Sequence, residues 1–115
     1  MARTAIPNPL ERRHLIERDT APEQSRKLAA LYLAEGRDWD AIAFLNKAGD
    51  REGLASMREV AVAAGDTFLV REVTRVLRDE VSAETWRRVA QVATEVGKER
   101  FAAQATRLAE RAEGR

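Results

Sequence analysis

The sequence lacks cysteine and has few aromatic residues: two Trp, one Tyr and three Phe. Without cysteine, disulfides, thiolate nucleophiles and thiolate metal ligands are excluded. An excess of charge of one sign is also absent, because 20 Lys and Arg residues face 19 Asp and Glu residues and the formal net charge is +1. Such a chain has no long-range field that would attract phosphate backbones or anionic lipids, so general nucleic-acid affinity is disfavoured.

Long hydrophobic runs are missing as well. The longest apolar stretch, Leu28 to Ala34, is far shorter than the roughly 20 residues that span a bilayer. The first seven residues lack the apolar core of a signal peptide, so we expect a cytoplasmic protein that is not embedded in a membrane. The length of 115 residues predicts one domain over 9–115, preceded by a flexible segment over 1–8.

Regular helix start and stop signals are what the sequence does contain. Polar residues that accept hydrogen bonds from helix N-termini alternate with glycines that can end a helix in the left-handed conformation. No strand-like alternation interrupts them, and the pattern predicts an all-α fold of about seven helices, the first over 9–18 and the second over about 21–35. The predicted caps are Asn8, Thr20, Asp38, Asp50, Asp66 or Thr67, and Ser82, and the predicted stops are Gly36, Gly49, Gly65 and Gly97.

Helices of this length are marginally stable alone, so their apolar stripes must bury one another. Connections of two or three residues force neighbouring helices into antiparallel hairpins, which we predict over about 22–49, 51–80 and 83–112. The glycines Gly36, Gly65 and Gly97 are 29 and 32 residues apart, a spacing in the range where helical-hairpin repeats must be considered. Superposition on these glycines places three sets of residues in phase: Leu28, Met57 and Val89; Leu31, Val60 and Val92; and Leu54 and Trp86.

The residues resemble the tetratricopeptide family. The matching positions are Leu28, Ala29, Tyr32, Gly36, Ala41, Leu45 and Ala48 in the first unit, and Trp86, Ala90, Gly97, Ala102 and Ala109 in the third. In the middle unit, Arg58 stands where the family has a small residue and Thr74 where it has an aromatic one.

The resemblance implies a right-handed α-α superhelix whose first helices line a concave surface that binds a peptide or a helix of another protein. The candidate partner-binding residues are Glu23, Arg26 and Leu33, then Glu52 and Glu59, then Glu84, Arg87 and Gln91, and the same face would include Ala30, Ala55, Val62 and Thr94. This mixture departs from the Lys- and Asn-rich clamp with which some family members hold a C-terminal carboxylate.

Catalytic and ligand-binding patterns are weak. His14 is the sole imidazole but has no Ser or Cys at a motif spacing, so a packing or exposed role is favoured over a general base. Asp38 and Asp40 flank a predicted helix start, where carboxylates complement the dipole rather than bind a cation. The glycines stand singly, which does not indicate a phosphate-binding loop. We predict no enzyme activity, no catalytic residue, no metal and no cofactor.

Two further sets of residues leave alternatives open. Trp39 and Trp86 could anchor a partner, but we expect both to pack between hairpins. The Arg12–Arg13 and Arg87–Arg88 pairs could contact phosphate, but neighbouring glutamates favour a solvated face of mixed charge. The leading hypothesis is therefore a non-catalytic scaffold that binds another protein or a second copy of itself, and the alternative is a nucleic-acid-associated regulatory helical protein.

Overall fold

The computed structural model describes residues 6–17 and 21–114. These residues form seven α-helices and no strand, which confirms the predicted all-α class. None of these helices is long and apolar enough to cross a membrane. The helices are α1 (Pro9–Glu17), α2 (Pro22–Ala34), α3 (Asp38–Ala48), α4 (Arg51–Ala64), α5 (Thr67–Leu77), α6 (Ala83–Glu95) and α7 (Glu99–Glu113).

Four of the predicted N-caps are present. The side chain of Asn8 accepts a hydrogen bond from the Glu11 amide at 2.9 Å, and that of Asp50 accepts one from Gly53 at 3.0 Å. Asp66, rather than Thr67, caps α5 through the Leu69 amide at 3.1 Å. Ser82 caps α6 through the Thr85 amide, also at 3.1 Å. Each cap satisfies an amide that the helix itself leaves unpaired.

Two cap predictions are wrong. Asp38 is the first residue of α3 and the N-cap is Arg37, whose side chain makes no capping bond. A carboxylate inside the first turn still complements the helix dipole, which is why the residue type fits both positions. The N-cap of α2 is Ala21 and carries no side-chain bond. Thr20, the cap we predicted there, lies outside the described residues, as do Arg18 and residues 1–5 of the predicted flexible segment.

The contacts divide the chain into two compact units, one ending at Leu54 and the other beginning at Ala55. In the first unit α2 packs on α3, and α1 also contacts α3. Its core contains Tyr32, which stacks on Phe44 with ring centroids 5.4 Å apart. Polar contacts also hold α1 in place, among them a hydrogen bond from Lys47 Nζ to the Ile16 carbonyl at 2.9 Å and an ion pair of Arg12 with Asp40 at 2.9 Å.

In the second unit α7 packs on both α6 and α5. Buried Val70 and Val73 of α5, Val89 of α6 and Ala105 of α7 contribute to its core. Small and β-branched side chains allow the helices to approach closely. A close approach occurs at Gly65, where a Cβ atom would lie 2.7 Å from the Ala93 amide nitrogen on α6.

The superposed sets of residues differ in burial. Leu28, Met57 and Val89 are all buried, and so are Leu54 and Trp86. The set of Leu31, Val60 and Val92 is not a core set, because Val60 is 69% exposed and the other two are only partly buried. The repeated glycine ends are real, since Gly36, Gly65 and Gly97 all have positive φ. The handedness of the superhelix and the single repeat domain over 9–115 stay predictions.

Candidate interaction surfaces

The eight candidate partner-binding residues are all exposed. On α2, Glu23, Arg26 and Leu33 recur at helical spacing, and Leu33 is one of the exposed large hydrophobic residues at 39%. Arg26 also pairs with Asp50 at 3.8 Å, a long ion pair between an exposed arginine and a half-buried aspartate that contributes little stability. This part of α2 therefore offers charged and apolar groups to solvent.

Helix α4 carries Glu52 and Glu59, and both are exposed. The expectation that Val62 shares their face is wrong, because Val62 is only 4% exposed. Val62 lies beside Ala61 on the buried stripe that also contains Met57, so its side chain contributes to packing.

Along α6, Glu84, Arg87 and Gln91 border a surface depression of about 420 Å³, together with Thr85 and Arg88. Arg87 forms an ion pair with Glu113 of α7. Gln91 Nε2 donates a long hydrogen bond of 3.4 Å to Glu95 on its own helix. We call Glu84, Arg87 and Gln91 the α6 face. It is a mixed-charge surface whose side chains make only exposed contacts that a partner can replace.

The residues considered for chemistry are dispersed. His14 is exposed on α1, and the carboxylate of Asp40 is engaged by Arg12 and by Arg37, each at 2.9 Å. Among the described residues, no group of three or more His, Cys, Asp or Glu side chains could hold a metal ion.

The two tryptophans differ. Trp86 is buried at 4% exposure, as expected for packing between helices, but Trp39 is 55% exposed at the start of α3. The prediction that both tryptophans are buried is therefore wrong for Trp39. Its neighbours Asp38 and Asp40 begin the helix, and a residue between them in the first turn faces solvent in this hairpin. An exposed indole is a strong candidate for an interface contact.

Sequence reasoning missed a cleft in the second unit that is rich in arginine. It has a volume of about 320 Å³ and lies where α5, its connection to α6, and α7 meet. Its lining residues are Arg71, Thr74, Arg75, Arg78, Asp79, Glu80, Val81, Trp86, Leu108 and Arg111. We call this feature the arginine cleft.

Arg58 of α4 fixes one wall of this cleft. Its guanidinium donates two parallel hydrogen bonds to the Asp79 carboxylate, at 2.6 and 2.9 Å, and a third to Thr74 Oγ1 at 3.1 Å. The Asp79 hydrogen bond raises the pKa of Arg58 above its ordinary value. Arg58 and Thr74 are two of the positions at which the middle hairpin differs from the tetratricopeptide pattern that the sequence resembles. The large side chain of Arg58 stands where the pattern has a small residue, and it is accommodated because Thr74 is smaller than the aromatic residue of the pattern.

A signal for this site was present in the sequence. Arg58 and Thr74 both depart from the repeat pattern, which marks these two positions; the structure joins them by a hydrogen bond and links Arg58 to Asp79. The grouping of arginines from α5 and α7 depends on which helices pack together, and no local pattern reveals it.

Comparison of the chain with protein-family models, with curated proteins and with solved structures gave no match. The resemblance to tetratricopeptide repeats therefore rests on the residues of this chain alone.

Proposed function

We propose that the protein is a non-catalytic interaction module of tetratricopeptide-like helical hairpins, which binds a peptide or a helix of another protein in the cytoplasm. The observation that carries the proposal is the α6 face, where three residues chosen from the repeat pattern are exposed beside a depression of about 420 Å³. Exposed Trp39 supports it, because aromatic residues are enriched at interfaces relative to the rest of the surface.

The nucleic-acid alternative has weaker support. Arg87 is paired with Glu113, and Glu84 lies within a turn of Arg88 on the same helix, so the α6 face is of mixed charge. A phosphate backbone is bound mainly by unopposed positive charge.

Affinity purification from the native cell, followed by quantitative mass spectrometry, tests the proposal when wild type is compared with an Arg87→Glu/Gln91→Lys variant. An Arg107→Glu variant serves as the control, since Arg107 is exposed on α7 and lies outside both surfaces. We expect at least one protein to be retained by wild type and by the control and to be lost from the α6-face variant.

Light scattering of the purified chain adds a second measurement, because a second copy is one partner that the proposal allows. A strictly monomeric chain that retains no protein from the cell would contradict the proposal. Equal retention of a partner by wild type, the α6-face variant and the control would show that the α6 face is not the binding surface.

A further inference from the structure

The arginine cleft combines an apolar floor with a charged rim. Val81 and Trp86 are buried at 7% and 4% exposure, and Leu108 is partly buried, yet all three line the cleft. The rim consists of side chains from α5, from the residues at the C-terminal end of α5, and from α7. A volume of about 320 Å³ is at the lower end of ligand-binding clefts, so it suits a few side chains of a peptide rather than a large ligand.

The rim carries more positive than negative charge. Four arginines line the cleft against two acidic residues, Asp79 and Glu80. The Asp79 carboxylate is already held by the two hydrogen bonds from Arg58. Arg75 is engaged by Glu72 of the same helix through two hydrogen bonds, of which the one from Nε is 3.1 Å long.

The other three arginines of the rim are available. Within residues 6–17 and 21–114, no ion pair engages Arg71, Arg78 or Arg111, and all three are exposed. A guanidinium is geometrically matched to a carboxylate, with which it forms paired hydrogen bonds. A cleft with three uncommitted guanidinium groups around an apolar floor is thus complementary to carboxylates that flank an apolar side chain.

The backbone of Arg78 provides an independent observation. Arg78 ends α5 with φ of 57°, and among the described residues it is the only one besides glycine with positive φ. The corresponding ends of α2, α3, α4 and α6 use glycine, which adopts this conformation without the clash of a Cβ atom. A strained position that keeps an arginine at the rim of a cleft points to a role for that side chain.

We propose that the arginine cleft binds an acidic peptide segment of a partner protein, with an apolar side chain on the Trp86 floor and flanking carboxylates on Arg71, Arg78 and Arg111. The inference rests on the proposed function and names the chemistry of one partner, at a surface separate from the α6 face. Nucleic acid fits less well, because a continuous phosphate backbone is bound mainly by unopposed positive charge and the net charge of the chain is only +1.

Tryptophan fluorescence can report on this cleft directly. The chain has two tryptophans, and Trp39→Phe leaves Trp86 as the sole indole. The probe is a synthetic nine-residue peptide with a central leucine flanked by glutamates, and its matched control has glutamines in place of the glutamates. We expect the acidic peptide to change the Trp86 emission saturably and more weakly at higher salt, and the glutamine peptide to leave it unchanged.

Charge reversal locates the binding. Arg111→Glu should weaken the acidic peptide by about tenfold, since it replaces an attraction with a repulsion at the rim. The matched control is Arg100→Glu, also exposed on α7 and about 16 Å away along the helix. That distance exceeds the screening length of about 8 Å at physiological salt, so Arg100→Glu should change affinity less than about twofold.

Arg78→Gly separates a binding role from a structural one. Glycine relieves the left-handed backbone, so the melting temperature should rise by about 2–4 °C, while affinity for the acidic peptide falls. A merely structural role would raise the melting temperature and leave peptide affinity unchanged.

Three results would overturn the inference: no change in Trp86 emission with the acidic peptide, equal loss in Arg111→Glu and Arg100→Glu, or saturable binding of a single-stranded oligonucleotide without binding of the peptide. Circular dichroism spectra of the variants establish that each is folded.

Failure of the peptide experiment leaves the proposed function intact if the α6-face variant still loses its partner from the cell. If the α6-face variant instead retains that partner and the acidic peptide binds normally, the inference about the arginine cleft stands.

Discussion

Gly65→Ala tests the close approach of the α4–α5 turn to α6 in the second unit. Gly65 has φ of +68°, and an added Cβ would lie 2.7 Å from the Ala93 nitrogen and 2.9 Å from the Ala93 Cα. Both are backbone atoms of α6, which cannot rotate away as a flexible side chain would. The left-handed conformation costs alanine about 1 kcal/mol relative to glycine, and forcing a methyl group into a packed site adds about 1–3 kcal/mol.

The free energy of unfolding should therefore fall by about 2–4 kcal/mol in Gly65→Ala. Gly97→Ala is the matched control: Gly97 has φ of +80° in the same unit, but nothing lies within 4 Å of its added Cβ. It should lose only about 1 kcal/mol, because the backbone conformation is its sole cost. Urea unfolding followed by circular dichroism at 222 nm measures both. Equal losses in the two variants would refute the close approach of the α4–α5 turn to α6.

Three other substitutions have defined outcomes. Ser25 is fully buried in α2 and its Oγ has no hydrogen-bond partner in the described part of the chain, so Ser25→Ala should stabilise the protein by about 1 kcal/mol in urea unfolding; a loss would show that the hydroxyl is paired. Arg58→Ala should cost about 1–2 kcal/mol in the same assay, and Arg58→Lys should recover only part of it, because lysine cannot form the paired bonds to Asp79; full recovery would argue against them. The Arg75 hydrogen bond lowers the pKa of Glu72 below its ordinary value, so its stabilisation is present above the unfolded pKa and is lost as the pH falls through the lowered pKa. Thermal melts should show less acid loss in Glu72→Gln than in wild type, and equal loss would contradict this.

The parts of the fold that depend only on residues close in sequence could be predicted. Asn8, Asp50 and Ser82 cap helices because a side-chain oxygen three residues from an unpaired amide needs no tertiary contact. The glycine ends follow from the freedom of glycine at positive φ. The end of α5 was less well defined, since Arg78 occupies a position where glycine is usual.

The features that were not predicted depend on tertiary packing. Burial of Val62 and exposure of Val60 reflect how far round α4 the neighbouring helices reach, which helical spacing alone does not determine. Exposure of Trp39 is decided in the same way. The arginine cleft requires α5 and α7 to be neighbours, although Arg78 and Arg111 are 33 residues apart in the sequence.

Photo-crosslinking in the native cell tests the central claim, that the chain binds another protein through the α6 face. Gln91 is replaced by the photoreactive residue benzoylphenylalanine, and the same replacement at Arg107 on α7 is the control. The account predicts a discrete crosslinked protein at position 91 that is absent at position 107 and is lost when Arg87→Glu is added. No crosslink at position 91, or the same crosslinks at both positions, would contradict it.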